Sequence, residues 1–441
     1  MNKNLHSNNI LLSLGIESLN KMQVAAETSI LFDSDVVLLS PTGSGKTLAF
    51  LLPIFQLLEE DNNKVQCMII VPSRELGLQI EQVWKKMATT FKVNICYGGH
   101  SIETEIKNLS NPPAVLIGTP GRLADHLERE TFDPKYIKTL VLDEFDKSLQ
   151  LGFHEEMRFI IGKLTNLEKR ILVSATDGVE VPKYTRIENP NVLNYIDKKK
   201  TETNLDFKLV ISKEKDKVNS LFHLICSLKS QNAIIFCNHR EAVERISDYL
   251  NDKGIFSVFY HGGLEQRERE HALYLFKSGC VDTLICTDLA SRGLDIPELD
   301  LVIHYQFPHS KEDFIHRNGR TARMKAEGTV LLIHSESEPL PDYCNDFEIN
   351  KIKGYEDFKD FKPSDKFPVY LSAGRKDKIR KIDIVGFFTK EAGIKNENLG
   401  LIEVYDQHSL ITLSVSDLKI IKNLMPQVKI KKQKIKISFF K

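Results

Sequence analysis

The sequence predicts two α/β domains, each built on a parallel sheet, followed by a small α+β domain. Short apolar runs alternate with longer amphipathic stretches from Val36 to about Asn194, and the same alternation resumes from Ala233 to His334. This alternation is typical of βαβ units, whose parallel strands are covered by helices on both faces. A chain of 441 residues is also too long for one ordinary core.

Each apolar run marks a predicted strand, and amphipathic stretches such as Glu75 to Ala88 mark the helices between them. The first domain has predicted strands at Val36 to Ser40, Val65 to Val71, Val93 to Tyr97, Ala114 to Gly118, Leu140 to Leu142 and Ile171 to Val173. The second has them at Ala233 to Cys237, Ser257 to Tyr260, Thr283 to Cys286, Leu301 to Tyr305 and Gly328 to His334. Polar segments at Asp197 to Asn204 and about Ser335 to Asp365 are predicted to be linkers.

The last segment has the order β-α-β-β-α-β, which is typical of a ferredoxin-like or RRM-type sandwich. Its elements are predicted at Val369 to Ser372, Ile382 to Ala392, Gly400 to Tyr405, Leu410 to Val415, Asp417 to Leu424 and Lys434 to Phe440. The three domains are therefore expected at residues 1–196, 205–336 and 367–441. The last of them, the tail, carries fifteen Lys or Arg against seven Asp or Glu, although the whole chain has no net charge. This surplus favours binding to a polyanion.

Composition excludes several classes of protein. The chain is 41% hydrophobic and 27% charged, as expected of a soluble globular protein, and no apolar run is long enough to cross a bilayer. The residues from Met1 to His6 lack a signal-peptide pattern, so a cytoplasmic location is expected. Seven cysteines without a CxxC pair, several within apolar runs, predict reduced thiols rather than disulfides or zinc ligands.

An acidic cluster follows the fifth apolar run. Asp143, Glu144 and Asp146 come directly after Val141 and Leu142. They therefore lie at the carboxyl edge of the predicted sheet, where open α/β sheets bind ligands. Taken alone, the cluster fits a solvated turn as well as it fits a metal or catalytic site.

A phosphate-binding loop follows the first predicted strand and opens an apolar helix. It reads Ser40-Pro41-Thr42-Gly43-Ser44-Gly45-Lys46-Thr47, with Ser40 where the general pattern has glycine. Its glycines let backbone N–H groups point at phosphate oxygens, Lys46 can reach the β- and γ-phosphates, and the Thr47 hydroxyl can ligate Mg²⁺. The loop favours a catalytic site over a solvated turn for the acidic cluster, because Asp143 can hold the Mg²⁺ and Glu144 can polarise an attacking water.

At this point the chain resembles the DEAD-box RNA helicases, with Asp143-Glu144-Phe145-Asp146 as their motif II and Phe145 in place of the usual Ala. The resemblance runs from about Ser7 to His334 and implies two tandem RecA-like domains that bind ATP and Mg²⁺. Ser174-Ala175-Thr176 matches the motif that couples hydrolysis to strand separation, together with Asp146. Gln23 matches the adenine-reading glutamine, although Leu19-Asn20 replaces Pro-Thr and His6 replaces the stacking Phe.

The second domain resembles the other half of the family's ATP site. Thr287 to Asp295 matches motif V and His316 to Arg323 matches motif VI. The resemblance implies that Arg320 and Arg323 contact the γ-phosphate, that His316 contacts motif II and that Asp295 approaches the ribose. We expect Arg320 and Arg323 to lie one helical turn apart, with both guanidinium groups in one cleft.

The remaining motifs imply RNA contacts, because small residues, hydroxyls and Arg at loop ends suit phosphate and 2′-hydroxyl groups. In the helicase domains these contacts are expected at Pro72, Arg74, Gly98, Gly99, Thr119, Pro120, Gly121, Arg122, Gln266, Arg269, Thr287, Arg292 and Gly293. The tail resembles the RNA-binding domain of the bacterial DbpA/YxiN group, which tethers the core to large-subunit ribosomal RNA. Its contacts are expected at Arg375, Lys376, Lys378 and Arg380, with a second cluster from Lys429 to Lys436.

The sequence therefore predicts an ATP-dependent RNA helicase, expected to be a monomer away from membranes, that remodels ribosomal RNA during large-subunit assembly. A general RNA-chaperone helicase is the alternative within the same class. An RNA-binding scaffold with little turnover and a DNA-unwinding enzyme are the alternatives from other classes. Intact Lys46, Glu144, Arg320 and Arg323 argue against the scaffold, and the complete motif set with its tail argues against DNA.

Overall fold

The first sheet contains seven parallel strands. The computed structural model describes residues 9–41, 43–60, 62–99, 101–176, 180–196, 205–228, 232–288, 296, 299–321, 328–352, 364–431 and 433–440. The strands are β1 (Asp35–Leu39), β2 (Cys67–Ile70), β3 (Val93–Cys96), β4 (Val115–Gly118), β5 (Thr139–Asp143), β6 (Lys169–Ser174) and β7 (Asn191–Asn194). Their spatial order is β3-β4-β2-β5-β6-β1-β7.

Helices cover both faces of this sheet. They are α1 (Lys21–Phe32), α2 (Lys46–Leu57), α3 (Arg74–Lys86), α4 (Ile102–Leu109), α5 (Pro120–Glu128), α6 (Phe145–Gln150) and α7 (His154–Lys163). Every residue of β2, β4 and β5 is buried, which is why these strands appear in the sequence as continuous apolar runs. Two clusters of buried apolar side chains form the core, and members of both alternate along β1.

The second sheet also contains seven parallel strands. They are β8 (Leu205–Ser212), β9 (Ala233–Phe236), β10 (Ser257–Tyr260), β11 (Thr283–Cys286), β12 (Leu301–His304), β13 (Gly328–Ser335) and β14 (Ile349–Ile352), in the order β10-β11-β9-β12-β13-β8-β14. Helices α8 (Val218–Ser227), α9 (Arg240–Asp252), α10 (Gln266–Lys277) and α11 (Lys311–Asn318) connect them. The predicted linker after Ser335 is wrong in part, because β14 pairs with β8 as the edge strand of this sheet.

The tail forms an antiparallel sheet with helices on one side. Its elements are β15 (Lys366–Leu371), α12 (Lys381–Gly386), β16 (Leu399–Val404), β17 (Ser409–Ser414), α13 (Leu418–Leu424), β18 (Gln427–Ile430) and β19 (Gln433–Phe439). The order β16-β17-β15-β19-β18 contains the predicted sandwich and adds β18, which the sequence interpretation missed. The predicted fold class, two parallel α/β domains followed by a small α+β domain, is confirmed.

The chain divides into two compact units. The first contains the sheet of β1 to β7, and the second contains the sheet of β8 to β14 together with the tail. All seven cysteines are free thiols, and five of them are buried. Within the described residues, no helix is long and apolar enough to cross a membrane.

Candidate nucleotide and RNA sites

The loop between β1 and α2 has the conformation that the phosphate-binding pattern requires. Gly43 and Gly45 have φ angles of 81° and 88°, a region that side-chain-bearing residues rarely adopt. A Cβ atom on Gly45 would lie 2.5 Å from Nε2 of Gln23. The Lys46 ammonium donates to the carbonyl oxygens of Ser40 at 2.6 Å and Pro41 at 2.9 Å. Lys46 therefore lies inside the loop that would surround the phosphates, at the positive end of α2.

The serine that replaces the usual first glycine closes this loop. Ser40 is buried, and its hydroxyl donates to Oγ of Ser44 at 2.8 Å. The Ser44 hydroxyl in turn donates to the Pro41 carbonyl at 2.8 Å. This departure from the pattern therefore adds one hydrogen bond within the loop, between Ser40 and Ser44.

The predicted adenine-reading segment contacts the same loop. Asn20 caps α1, because its side-chain oxygen accepts from the Gln23 backbone N–H at 2.9 Å while Oε1 of Gln23 accepts from the Asn20 N–H at 2.9 Å. The Asn20 side chain also donates to the Ser44 carbonyl at 3.1 Å, and Gln23 Nε2 donates to the Gly45 carbonyl at 3.2 Å. Asn20 thus supplies a helix cap at the place where the family usually has threonine.

The acidic cluster stands at the end of β5. Asp143 is buried, and its Oδ1 accepts from the Glu144 backbone N–H at 2.9 Å. Burial, and then the charge of Glu144, raise the pKa of Asp143 to about 7, against the opposing charge of Lys46. Glu144 itself has a φ of 46°, a strained conformation for a residue with a side chain. Such strain is found more often at functional sites than elsewhere.

The third acidic residue of the cluster is joined to the end of β6. The Thr176 hydroxyl donates to Oδ2 of Asp146 at 3.1 Å, and its backbone N–H donates to Oγ of Ser174 at 3.0 Å. The residues predicted to couple hydrolysis to strand separation are therefore brought together in the first unit. One hydrogen bond, from Thr176 to Asp146, thus links the acidic cluster to the segment after β6.

Two of the predicted RNA motifs meet beside β3. The guanidinium of Arg74 lies over the Tyr97 ring, 5.9 Å from its centroid. Gly99 has a φ of 84°, and a Cβ atom there would lie 3.0 Å from Nη1 of Arg74. The backbone angle at position 99 therefore favours a glycine, and the Arg74 guanidinium lies close beside it. Pro72 is buried just before this site, and Gly98 and Gly99 are exposed.

A buried carboxylate joins this site to the third motif. Glu105 accepts from the Tyr97 backbone N–H at 3.1 Å and from Nη1 of Arg122 at 3.1 Å, and it lies 2.8 Å from Nε2 of the fully buried His126. Nδ1 of His126 is 3.0 Å from the Thr131 hydroxyl. Glu105 therefore holds Arg122 beside the strand that leads to Gly98 and Gly99. The sequence interpretation missed Glu105 and His126.

The other residues of the third motif begin α5. Thr119 stands at the N-cap position, Pro120 is buried in the first turn, and Gly121 has no atom within 4 Å of where a Cβ would lie.

Three buried side chains near this motif could in principle bind a metal ion, because Cys96, Glu105 and His126 have ligand-type atoms within 4.8 Å of one another. Both Glu105 oxygens already accept hydrogen bonds and a guanidinium lies among them, so a metal ion fits poorly there.

In the second unit, a fully buried arginine organises the predicted ATP motifs. Arg317 donates to both carboxylate oxygens of Asp288, at 2.6 and 3.0 Å, and to the Gln306 carbonyl at 2.7 Å. It also donates to Oδ1 of Asn238 at 2.8 Å and lies over the Phe236 ring. Arg317 thus ties four segments of the chain together, a role that the sequence interpretation did not assign to it.

The predicted helical placement of Arg320 is wrong. Helix α11 ends at Asn318, and Thr321 forms a bridge with Leu299, so Arg320 lies in the turn that follows the helix. Arg320 and the helical His316 are both buried. Arg320 is therefore not on the helix, and the prediction that it shares one helical face with Arg323 is wrong.

Predicted residues outside the described part of the chain are His6, Thr42, Arg292, Gly293, Asp295 and Arg323.

The predicted RNA residues of the second unit occupy different environments. Gln266 begins α10, and its amide donates to Glu270 at 3.0 Å. Arg269 is buried, and its guanidinium donates to the carbonyls of Gly262 at 2.8 Å and Leu264 at 3.2 Å. Arg269 therefore shapes the loop before α10. Thr287 follows β11 and is partly buried.

The predicted RNA residues of the tail form an exposed basic edge. Arg375, Lys376, Lys378 and Arg380 all lie on the surface between β15 and α12. Lys431 joins them from the loop after β18, because its ammonium donates to the Lys378 carbonyl at 3.1 Å and pairs with Asp383 at 2.6 Å. The sequence places the Lys429 to Lys436 cluster far along the chain, and the fold brings Lys431 to the first cluster.

Comparisons with protein families agree with this geometry. Residues 20–183 match the DEAD/DEAH box helicase model, residues 216–325 match the helicase conserved C-terminal domain, and residues 369–439 match the DbpA RNA binding domain. The ATP-dependent RNA helicase DbpA of Bacillus subtilis is 30% identical over 91% of this chain and 90% of its own length. The chain belongs to the DEAD-box RNA helicases.

Other relatives of this helicase extend the comparison. The ATP-dependent rRNA helicase RRP3 of Encephalitozoon cuniculi is 34% identical over 78% of this chain and 87% of its own length. The solved DEAD-box helicase Mss116 bound to single-stranded RNA and UDP-BeF has a TM-score of 0.72 at 28% identity, covering 80% of this chain and 78% of that one. The protein is thus an ATP-dependent RNA helicase with two RecA-like domains and a tail of the DbpA type, as predicted.

Proposed function

We propose that this helicase remodels structured ribosomal RNA during assembly of the large ribosomal subunit. The observation that carries the proposal is the tail, which matches the DbpA RNA binding domain and presents an exposed basic edge. Phosphate contacts from such an edge supply affinity, and the irregular shape of a folded RNA can supply selectivity. The name of the RRP3 relative, an rRNA helicase, points in the same direction.

The hydrolytic roles that we propose for the first unit come from its motifs, and the geometry of the loop and of the acidic cluster supports them. Lys46 and the loop amides bind the phosphates, Gln23 selects adenine and Glu144 polarises the attacking water. The residues suit Mg²⁺, because buried Asp143 next to Glu144 concentrates negative charge that a divalent cation would offset. Asp143 and Thr47 would hold the ion, which when bound neutralises charge on the phosphates.

The second unit and the tail complete the proposal. Arg320 and Arg323 act on the γ-phosphate, His316 takes part in coupling, and Asp295 approaches the ribose. Phosphate and 2′-hydroxyl contacts come from Arg74, from the glycine pair at positions 98 and 99, from Arg122 and from Gln266, together with the motif V residues. The helicase acts as a monomer, and its cytoplasmic location stays a prediction of the sequence.

The experiment compares ATPase stimulation by ribosomal RNA and by random RNA of equal length. Deleting residues 367–441 should remove selective stimulation by ribosomal RNA and leave weak stimulation by random RNA. Lys376→Ala with Lys378→Ala should weaken binding of ribosomal RNA and so the ribosomal response. The difference in affinity from the unchanged protein should shrink as the salt concentration rises, because each lost phosphate contact lowers the salt dependence of binding. Lys390→Ala with Lys422→Ala removes the same charge from other exposed positions of the tail and serves as the control.

Two results would contradict the proposal. Equal stimulation of the full chain by both RNAs would indicate a general RNA-chaperone helicase. Binding of ribosomal RNA without measurable phosphate release would indicate a scaffold that does not turn over.

A further inference from the structure

One acidic side chain lies within the basic edge of the tail. Asp383 is in the first turn of α12, and its side chain is only 10% exposed although its neighbours Lys381 and Ile382 are exposed. Its Oδ2 atom accepts from the Arg380 backbone N–H at 2.8 Å and pairs with the Lys431 ammonium at 2.6 Å. The hydrogen bond from Lys431 lowers the pKa of Asp383, so this carboxylate is charged at neutral pH.

The Lys431 ammonium joins a further segment to this carboxylate. It also donates to the Lys378 carbonyl at 3.1 Å, so the turn between β18 and β19 is tied both to α12 and to the loop after β15. The Arg380 guanidinium lies 3.6 Å from the same Asp383 oxygen. One carboxylate oxygen therefore holds together basic residues that are far apart in the chain.

Two lysines of this network have a strained backbone. The φ angles of Lys378 and Lys431 are 60° and 51°, in the left-handed region that residues with side chains rarely adopt. Such strain persists only where the surrounding structure fixes the conformation, and it is more frequent at functional sites than elsewhere. The bond from Lys431 to the Lys378 carbonyl joins the two strained residues to each other. The arrangement of these two lysines is therefore fixed without RNA.

The loop that carries Arg375 and Lys376 is held through its backbone. The N–H groups of these two residues donate to the Tyr405 and Asp406 carbonyls at 2.8 and 2.9 Å. A Cβ on Gly374 would lie 2.2 Å from the Tyr405 oxygen, so a glycine is needed for the loop to lie this close to the turn after β16. The basic edge is therefore held on both sides, at the turn after β16 and at the turn after β18.

The two kinds of RNA binding depend differently on such an edge. Binding to any RNA strand depends on how many cations meet phosphates, and a carboxylate beside those cations opposes it. Binding to a folded RNA depends in addition on cations whose positions match the arrangement of its phosphates. A carboxylate that fixes the cations therefore has opposite effects on the two kinds of binding.

We propose that Asp383 is a positioning residue of the tail's RNA site, which holds Lys431 and Arg380 in one arrangement and so makes the basic edge selective for folded RNA. The carboxylate lowers the attraction of the edge for RNA in general. It raises the affinity for an RNA whose phosphates match the fixed cations. The inference rests on the function proposed above for the identity of that RNA, which is ribosomal.

The experiment compares the full chain with its Asp383→Asn variant. Dissociation constants are measured without ATP, at one salt concentration, for a folded fragment of large-subunit ribosomal RNA and for unstructured RNA of equal length. Asparagine keeps an oxygen that can accept from the Arg380 N–H but loses the charge that pairs with Lys431. Affinity for the ribosomal fragment should fall by roughly tenfold, the value of one charged hydrogen bond. Affinity for unstructured RNA should rise by about twofold, since one negative charge is removed.

Two further variants control for charge and for the partner. Glu391→Gln removes the same charge from an exposed position of the tail and should raise affinity for both RNAs by the same small factor. In a Lys431→Gln background, Asp383→Asn should change the preference for the ribosomal fragment by less than about threefold, because Asp383 acts through Lys431. A further loss of about tenfold in that background would overturn the proposal.

The remaining outcomes also decide. Affinity that is unchanged or equally raised for both RNAs in Asp383→Asn would show that Asp383 acts through its charge alone, and the proposal would fall. Lower affinity for both, with faster hydrogen exchange in β17, would give Asp383 a structural role only and would overturn it as well. If the unchanged chain binds both RNAs equally, the proposed ribosomal function fails, a result that is read before any variant is compared.

Discussion

Replacing Asp143 with asparagine is expected to stabilise the first unit, and more so at high pH. Asp143 is 4% exposed, and burial with the neighbouring Glu144 charge raises its pKa from 3.8 to about 7. The raised pKa means that the folded protein binds more protons than the unfolded chain between these two values. Stability therefore falls as the pH rises from about 4 to 7, and it levels off above 7.

The size of this change in the free energy of unfolding follows from the two pKa values of Asp143, 3.8 and about 7. Asparagine keeps the oxygen that accepts from the Glu144 N–H but carries no charge. Between pH 5 and pH 7 each pH unit is worth 1.36 kcal/mol for one such group. The free energy of unfolding gained by Asp143→Asn should therefore be larger at pH 8 than at pH 5 by about 2–3 kcal/mol. Hydrolysis of ATP should be lost at the same time, since an amide is a poor ligand for Mg²⁺.

The chain offers a reporter for this measurement. Trp84 is the only tryptophan, it is buried in the first unit, and its indole N–H donates to the Phe91 carbonyl at 3.1 Å. Its fluorescence during urea unfolding reports the first unit separately from the second. Asp125→Asn changes a surface carboxylate and should give the same small effect at both pH values. An equal gain for Asp143→Asn at pH 5 and pH 8 would refute the reasoning.

Two further substitutions test the site. Glu144→Gln should retain ATP binding and slow phosphate release by roughly a hundredfold or more, because a positioned base contributes about that much; undiminished turnover would show that another group is the base. Glu105→Gln should raise the RNA concentration needed for half-maximal ATPase stimulation by roughly tenfold, the value of one lost charged hydrogen bond to Arg122, with the maximal rate unchanged. Glu103→Gln changes an exposed residue of the same helix and should leave both quantities unaltered. If Glu103→Gln and Glu105→Gln had equal effects, the pairing of Glu105 with Arg122 would not contribute to RNA binding.

The local motifs could be predicted from the sequence because their residues are neighbours in the chain. The phosphate loop, the acidic cluster and Ser174 to Thr176 each stand at the end of a buried strand, where apolar runs give a clear signal. Edge strands β7, β14 and β18 gave no such signal. They pair on one side only, so polar residues such as Asn191, Lys351 and Gln427 are tolerated and the segments look like loops.

The buried charged residues could not be predicted, because their partners are distant in the chain. Arg317 depends on Asn238 and Asp288, and Glu105 on Arg122 and His126. Each is an ordinary charged residue on a helix until the fold supplies its partners, and no periodicity distinguishes it. The same holds for the contact of Tyr274 with Thr412 of the tail, since neither residue is unusual in its local sequence.

The structure also places the tail against α10, because the hydroxyl of buried Tyr274 donates to the Leu401 carbonyl at 2.9 Å and lies 2.8 Å from Oγ1 of Thr412, and this contact bears on the role of the segment before the tail. A flexible connection sets the local concentration of a tethered RNA through its length, which falls roughly as the −3/2 power of that length. If α10 holds the tail, the eleven residues 353–363 no longer set the distance, and inserting 22 Gly and Ser residues there should leave selective ATPase stimulation unchanged. In the Thr412→Asp background the same insertion triples the connection and should lower the selective stimulation roughly fivefold. A comparable loss from the insertion alone would show that the tail works from a flexible tether, whatever contacts it makes with α10.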